Sequence, residues 1–232
     1  MTSRLEGRRV LVTHADRYIG PPIVDLFKKE GAEIVADETD YANADAVRDV
    51  VERSGRIDVL VANFAGPHRL MPVTNMLTDV TGFRDEDFQS YLDELVWPLL
   101  WFVRATLPQM IERGAGKIVG CTSATPMRAI PGLNIYSAAR GAQNAFVQTV
   151  GAEVAAKGVQ FNALGPAHIE NNMYYTDEML SNEDVREQFV SQIPASRLGV
   201  GADAAALALA LATEASDFLA GQVIPISGGW TT

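Results

Sequence analysis

Ser123, Tyr136 and Arg140 combine a hydroxyl, a phenol and a permanent cation at spacings that can move a proton. Tyr136 and Arg140 are four positions apart, so on a helix they stack on one face. A phenol near pKa 10 is a poor base at neutral pH, and a fixed cation within about 4–6 Å favours its anionic form. Arginine supplies a charge that burial does not remove. Ser123 would then donate a hydrogen bond to whatever oxygen the tyrosine deprotonates. The same tyrosine–arginine spacing also occurs in ordinary exposed helical pairs, so the pattern alone leaves both readings open.

The elements that would position these residues alternate between strands and helices. Residues 9–13 read as a buried strand, 20–29 as a helix starting at Pro21-Pro22 and ending at Gly31, and 32–36 as a second strand. That is the size of a strand–helix–strand unit, so a parallel sheet is expected. Next come a helix over 44–52, a strand over 58–62, a long helix over 85–111 bent at Pro98, and a strand over 117–122. A helix over 136–156 carries Ala139, Ala142, Phe146, Val150 and Val154 on an apolar face, stopped by Gly158. A strand over 159–164 leads through Gly165-Pro166 into a polar stretch, 167–191, where a binding lid is expected. A helix over 203–213 and a short strand over 223–226 complete the series. The pattern predicts one doubly wound α/β domain over residues 1–232.

Composition narrows the setting. At 232 residues the chain can bury about 70% of its unfolded surface in one core. Cys121 is the single cysteine, which excludes a disulfide framework and fits a small core residue in a reducing cytoplasm. A formal charge of −10 argues against a nucleic-acid partner. No basic segment precedes a long apolar one, and no apolar run approaches 18 residues, so neither export nor membrane spanning is expected.

Taken together, the residues resemble the short-chain dehydrogenase/reductase family over nearly the full length. The resemblance is carried by Thr13 and Gly20, by Leu60-Val61-Ala62-Asn63-Phe64-Ala65-Gly66, by the Ser123/Tyr136 pair, by Gly165-Pro166, and by Leu219-Ala220-Gly221-Gln222-Val223 leading to Gly228-Gly229. Three departures stand out. The family's T-G-x-x-x-G-x-G turn lets backbone approach a dinucleotide pyrophosphate, and here His14 and Tyr18 replace two of its three glycines. Arg140 replaces the lysine of the family's Tyr-x-x-x-Lys. Only one helix fits between Asp37 and Asp58, so the unit lining the adenine side is shortened or missing.

That combination resembles the halohydrin dehalogenases, the branch of the family without a nicotinamide cofactor. Their patterns T-x4-F/Y-x-G and S-x12-Y-x3-R are met by Thr13, Tyr18 and Gly20, and by Ser123, Tyr136 and Arg140. The resemblance implies a Rossmann-like fold, no cofactor, a haloalcohol or epoxide substrate and a homotetramer built on the two long helices. It implies that Ser123 and Tyr136 hold the substrate hydroxyl and that Tyr136, aided by Arg140, takes its proton. It places a halide pocket at the Tyr18 ring and the backbone around Pro166, His168 and Ile169. Thr125 is expected to line the substrate pocket. Phe64, Tyr174 and Tyr175 fall in segments near its mouth, where pocket lining and ordinary packing both remain open.

Other residues pull elsewhere. Asp37 ends the second strand where the family's ribose-binding acid would stand, which keeps an NAD(P)-dependent oxidoreductase with a degenerate fingerprint as the alternative. A non-catalytic binding scaffold is a further alternative. His14, His68 and His168 show no metal-ligand spacing. Trp97 and Trp101 on the long helix read as packing, in a subunit contact or within the chain. The chain ends at Thr232, so a longer C-terminal arm is not expected.

Overall fold

The computed structural model describes residues 3–65 and 85–232; Gly66 and His68 lie outside the described residues. Among the described residues, six parallel strands form one sheet in the order β2-β1-β3-β4-β5-β6. They are β1 (Arg9–Thr13), β2 (Glu33–Asp37), β3 (Val59–Asn63), β4 (Gly116–Cys121), β5 (Val159–Pro166) and β6 (Val223–Ile226). All residues of β3 and β4 are buried, as a parallel sheet covered on both faces requires. Helices α2 (Ala44–Ser54), α4 (Trp97–Arg113) and α5 (Asn134–Ala155) cover one face. The other face is covered by α1 (Gly20–Lys29) and α8 (Gly201–Ala212). This is a Rossmann-like α/β fold.

The order reverses between β1 and β3, and such switch points open a crevice at the carboxyl ends of the strands. Among the described residues only β2 stands beyond β1, because α2 is the sole helix before the chain crosses back to β3. Among the described residues, no further strand lies outside β2.

The expected helix over 85–111 is three pieces: α3 (Asp85–Tyr91), a π-helical turn (Leu92–Val96) and α4. Pro98 sits in the first turn of α4, where its missing N–H is tolerated, so it starts a helix where a kink was expected. The widened turn precedes it, and Gln143 Nε2 donates to the Leu95 carbonyl there at 2.6 Å. The buried face of α5 also differs from the apolar stripe read from the sequence. Ala142 is exposed, while Arg140, Gln143 and Asn144 are buried because they bond to strand ends and to the π turn. The stretch after β5 is more regular than its weak periodicity suggested. It forms a tight turn bridging Asn171 and Tyr175, then short helices α6 (Asp177–Leu180) and α7 (Glu183–Val190) with Thr176 and Asn182 as side-chain N-caps.

Candidate active site

Each loop leaving the sheet's carboxyl edge delivers part of the site. The first turn runs from β1 into α1, and Gly20 must be glycine there: a Cβ would stand 2.5 Å from the His14 carbonyl oxygen. Asn63, ending β3, donates from Nδ2 to the His14 and Arg17 carbonyls at 3.0 and 3.1 Å and fixes the turn from beneath. The turn puts Tyr18 in left-handed backbone, φ 57°, with its side chain buried. After β4 comes Ser123. Its Oγ accepts the Thr125 N–H at 3.1 Å and shares a hydrogen bond with the Thr125 hydroxyl at 2.6 Å, and Asn144 Nδ2 donates to its carbonyl at 3.2 Å. Thr125 therefore orients the serine as well as lining the cavity.

Arg140 is fully buried on α5 and organises the centre. Its Nε donates to the Tyr136 hydroxyl at 3.1 Å, Nη1 to Gln143 Oε1 at 2.9 Å and the Cys121 carbonyl at 3.3 Å, and Nη2 to the Phe64 carbonyl at 3.2 Å. Burial opposes its charge, but coulombic coupling to Tyr136, Tyr18 and Tyr174 outweighs this and holds its pKa above the usual guanidinium value. The tyrosines around it differ. Burial pushes the Tyr18, Tyr174 and Tyr175 phenols up, so they stay protonated at neutral pH. Tyr136 is half-buried and is the tyrosine whose hydroxyl receives the guanidinium bond. Burial also pushes the Cys121 thiol up to about 12, which keeps it unreactive.

A cavity of about 720 Å³ opens beside these groups. Tyr18, Ser123, Thr125 and Tyr136 line it from the sheet side, and Pro166, His168, Ile169, Tyr174 and Tyr175 from the segment after β5. Phe64 does not line it. Its ring is wholly buried among His14, Tyr41 and Phe102, because β3 directs it under the sheet and leaves only its carbonyl facing Arg140. Sequence reasoning missed Gln143, which looked like an ordinary helix residue. It also missed the apolar end of the cavity, formed by Leu133, Met179, Phe189 and Trp230. Nothing local marks Trp230; Arg128 places it by stacking at 4.9 Å from its ring and donating to its carbonyl at 2.5 Å.

Backbone polarity converges near His168. Its φ is 52°, its carbonyl accepts the Gly199 N–H at 3.0 Å, and Glu170 N–H donates to the Gly199 carbonyl at 2.9 Å. Among the described residues no acceptor takes the backbone N–H of His168 or Ile169. The His168 ring is bonded through Nδ1 to the Tyr175 hydroxyl at 3.1 Å, and burial lowers its pKa to about 4. His14 is buried too, stacked on Tyr41, with burial lowering its pKa to about 4. Among the described residues, no cluster of histidine, cysteine or acidic side chains could hold a metal ion, and no helix is long and apolar enough to cross a membrane.

The family model described as enoyl-(acyl carrier protein) reductase matches residues 6–231. The chain belongs to the short-chain dehydrogenase/reductase superfamily. This short-chain dehydrogenase/reductase is 30% identical to the 3-oxoacyl-(acyl-carrier-protein) reductase FabG of Thermotoga maritima, with 97% of this chain and 98% of that protein covered. Among solved structures it is similar to one titled "Dehalogenation enzyme", with TM-score 0.85, 26% identity, and 98% and 99% of the two chains covered. A gluconate 5-dehydrogenase of Burkholderia cenocepacia, in complex with NADP and tartrate, matches with TM-score 0.86 and 28% identity over 99% and 97% of the chains.

Proposed function

We propose that this member of the superfamily is a halohydrin dehalogenase, converting a vicinal haloalcohol to an epoxide, halide and a proton without a nicotinamide. The observation that carries the reading is the Tyr18 ring: it is buried at φ 57° on the wall that Ser123 and Tyr136 share, at a position where the superfamily has glycine. That ring stands where the superfamily's glycine lets backbone approach a pyrophosphate, which supports a site without a dinucleotide. Asp37, the candidate ribose acid, already accepts from Thr39 and Tyr41 and pairs with Arg53. Arg17 is spent on Asp16 and Asp40.

The chemistry then follows from the chain's own groups. Ser123 and Tyr136 bind the substrate hydroxyl, and Tyr136 takes its proton while the Arg140 Nε–H stabilises the phenolate oxygen. The alkoxide attacks the neighbouring carbon from behind, the carbon–halogen bond breaks, and halide leaves with the electron pair. Holding oxygen, carbon and halogen in line makes ring closure a matter of positioning. The His168 and Ile169 N–H groups and the Tyr18 ring receive the halide. Run in reverse, the site opens epoxides with small anions.

The second reading is an NAD(P)-dependent oxidoreductase, and the curated relatives favour it: the reductase and dehydrogenase names outnumber the dehalogenase. One experiment separates the two. Purified protein is given a small vicinal bromo-alcohol with no nucleotide, Tyr136→Phe serves as control, and NADH and NADPH binding are titrated in parallel. Bromide release that requires Tyr136 is the expected outcome. Saturable nucleotide binding without bromide release establishes the oxidoreductase instead.

A further inference from the structure

The tandem asparagines in the turn after β5 have no part in the reaction as derived, yet they join the two walls of the cavity. Asn171 Oδ1 accepts the N–H groups of Met173 and Tyr174 at 2.9 and 2.8 Å, and its Nδ2 donates to the Ile169 carbonyl at 2.7 Å. These bonds tighten the turn that carries Tyr174. Asn172, at its tip, reaches back to the first turn of the fold, about 150 residues earlier in the chain. Its Oδ1 accepts the Tyr18 N–H at 2.9 Å, and its Nδ2 donates to the Asp16 carbonyl at 3.0 Å. A backbone donor and a backbone acceptor fix which way the amide points.

We propose that Asn172 is a positioning residue that holds Tyr18 against the anion end of the cavity. The proposal rests on the dehalogenase reading of the site. Left-handed backbone is costly for a residue with a bulky ring and persists only where the surroundings impose it. Asn63 holds the His14 and Arg17 carbonyls from beneath, and Asn172 holds the alternate groups, the Asp16 carbonyl and the Tyr18 N–H, from above. The same turn brings the Tyr174 ring edge-on to Tyr18 at 5.5 Å. One short segment thus sets the spacing of two aromatic walls, and that spacing decides how tightly a halide or other small anion is gripped. Asn172 is exposed, so its amide contributes little to the core and its loss leaves the fold intact.

The test compares wild type, Asn172→Ala, Asn172→Asp, Tyr18→Ala and the Asn172→Ala/Tyr18→Ala double variant. Amide hydrogen exchange at Tyr18 is read directly, and KM for azide and kcat are read in the opening of a small epoxide. Exchange at Tyr18 in Asn172→Ala is expected to speed up about tenfold, with KM for azide raised about tenfold and kcat little changed. Asn172→Asp keeps the acceptor for Tyr18 and loses the donor to Asp16, so it falls between. In the Tyr18→Ala background the second substitution adds nothing to KM. Unchanged Tyr18 exchange, or additive effects on KM, overturns the proposal. Absence of epoxide opening in wild type defeats the dehalogenase reading instead, and Tyr18 exchange alone then decides whether Asn172 holds the turn.

Discussion

Replacing Arg140 with lysine keeps a cation at the centre of the site and removes the geometry of the guanidinium. Arg140 spends three nitrogens on four acceptors, at 2.9 to 3.3 Å, spread from α5 to the ends of β3 and β4. An ammonium carries all its donors on one nitrogen and cannot reach such scattered acceptors together. Leaving two buried acceptors bare costs about 1–3 kcal/mol each, so Arg140→Lys is expected to lose about 2–6 kcal/mol of stability. For a chain of this size that lowers the thermal midpoint by about 5–20 °C. On the proposed dehalogenase reading, catalysis falls for a separate reason. Desolvation drives a buried lysine toward its neutral form, so the Tyr136 oxygen loses an aligned donor and part of the nearby charge. General-base catalysis contributes about 10²–10⁴-fold, and kcat/KM is expected to drop about 100-fold or more. Bromide release from a small bromo-alcohol, assayed well below the variant's own melting transition, separates this loss from unfolding. Wild-type kcat/KM together with an unchanged midpoint in Arg140→Lys would refute the reasoning.

The neighbouring residues give further expectations. Gln143→Leu removes both the acceptor for Arg140 and the donor to the Leu95 carbonyl, and is expected to lower kcat at least tenfold while KM changes little; unchanged kcat means that Arg140 is held without it. Tyr18→Ala opens space beside Ser123 and Tyr136 at a stability cost of about 3–5 kcal/mol. NADPH is still not expected to bind it, because Asp37 remains tied to Arg53, Thr39 and Tyr41; saturable fluorescence quenching by NADPH would contradict this. His14 and His168 set an acid limit. Their folded pKa values are about 4 against 6.5 for the free side chain, so between those values the unfolded chain binds protons that the folded chain refuses. Stability therefore falls as pH drops through that window, by about 2 kcal/mol per histidine at pH 5. Urea midpoints at pH 7 and pH 5 measure it, and His14→Phe or His168→Phe should each flatten the difference; equal midpoints in wild type would count against both shifts.

The element order and the parallel sheet could be read from the chain because strands buried on both faces leave unbroken apolar runs, such as Val59-Leu60-Val61-Ala62 in β3, and because glycine and proline punctuate their ends. The contact between Tyr136 and Arg140 was equally visible, since both lie on one helix and it depends only on that helix's pitch. That a single helix joins β2 to β3 followed from length alone, as α2 fills the distance from Asp37 to Val59.

Residues whose role depends on long-range contact were not visible in this way. Phe64 and Tyr175 both looked like pocket candidates, and only packing sent the first under the sheet and the second to the cavity. Gln143 reads as one more helical glutamine until the π turn of a different helix supplies its acceptor. Trp230 reaches the cavity because β6 carries the chain's last residues beside the loop that holds Arg128. The sequence determined local periodicity, and with it the sheet, the helices and the pairing of Tyr136 with Arg140. The tertiary structure decided which side chains surround that pair, because burial and hydrogen-bond partners are properties of segments that meet only after folding.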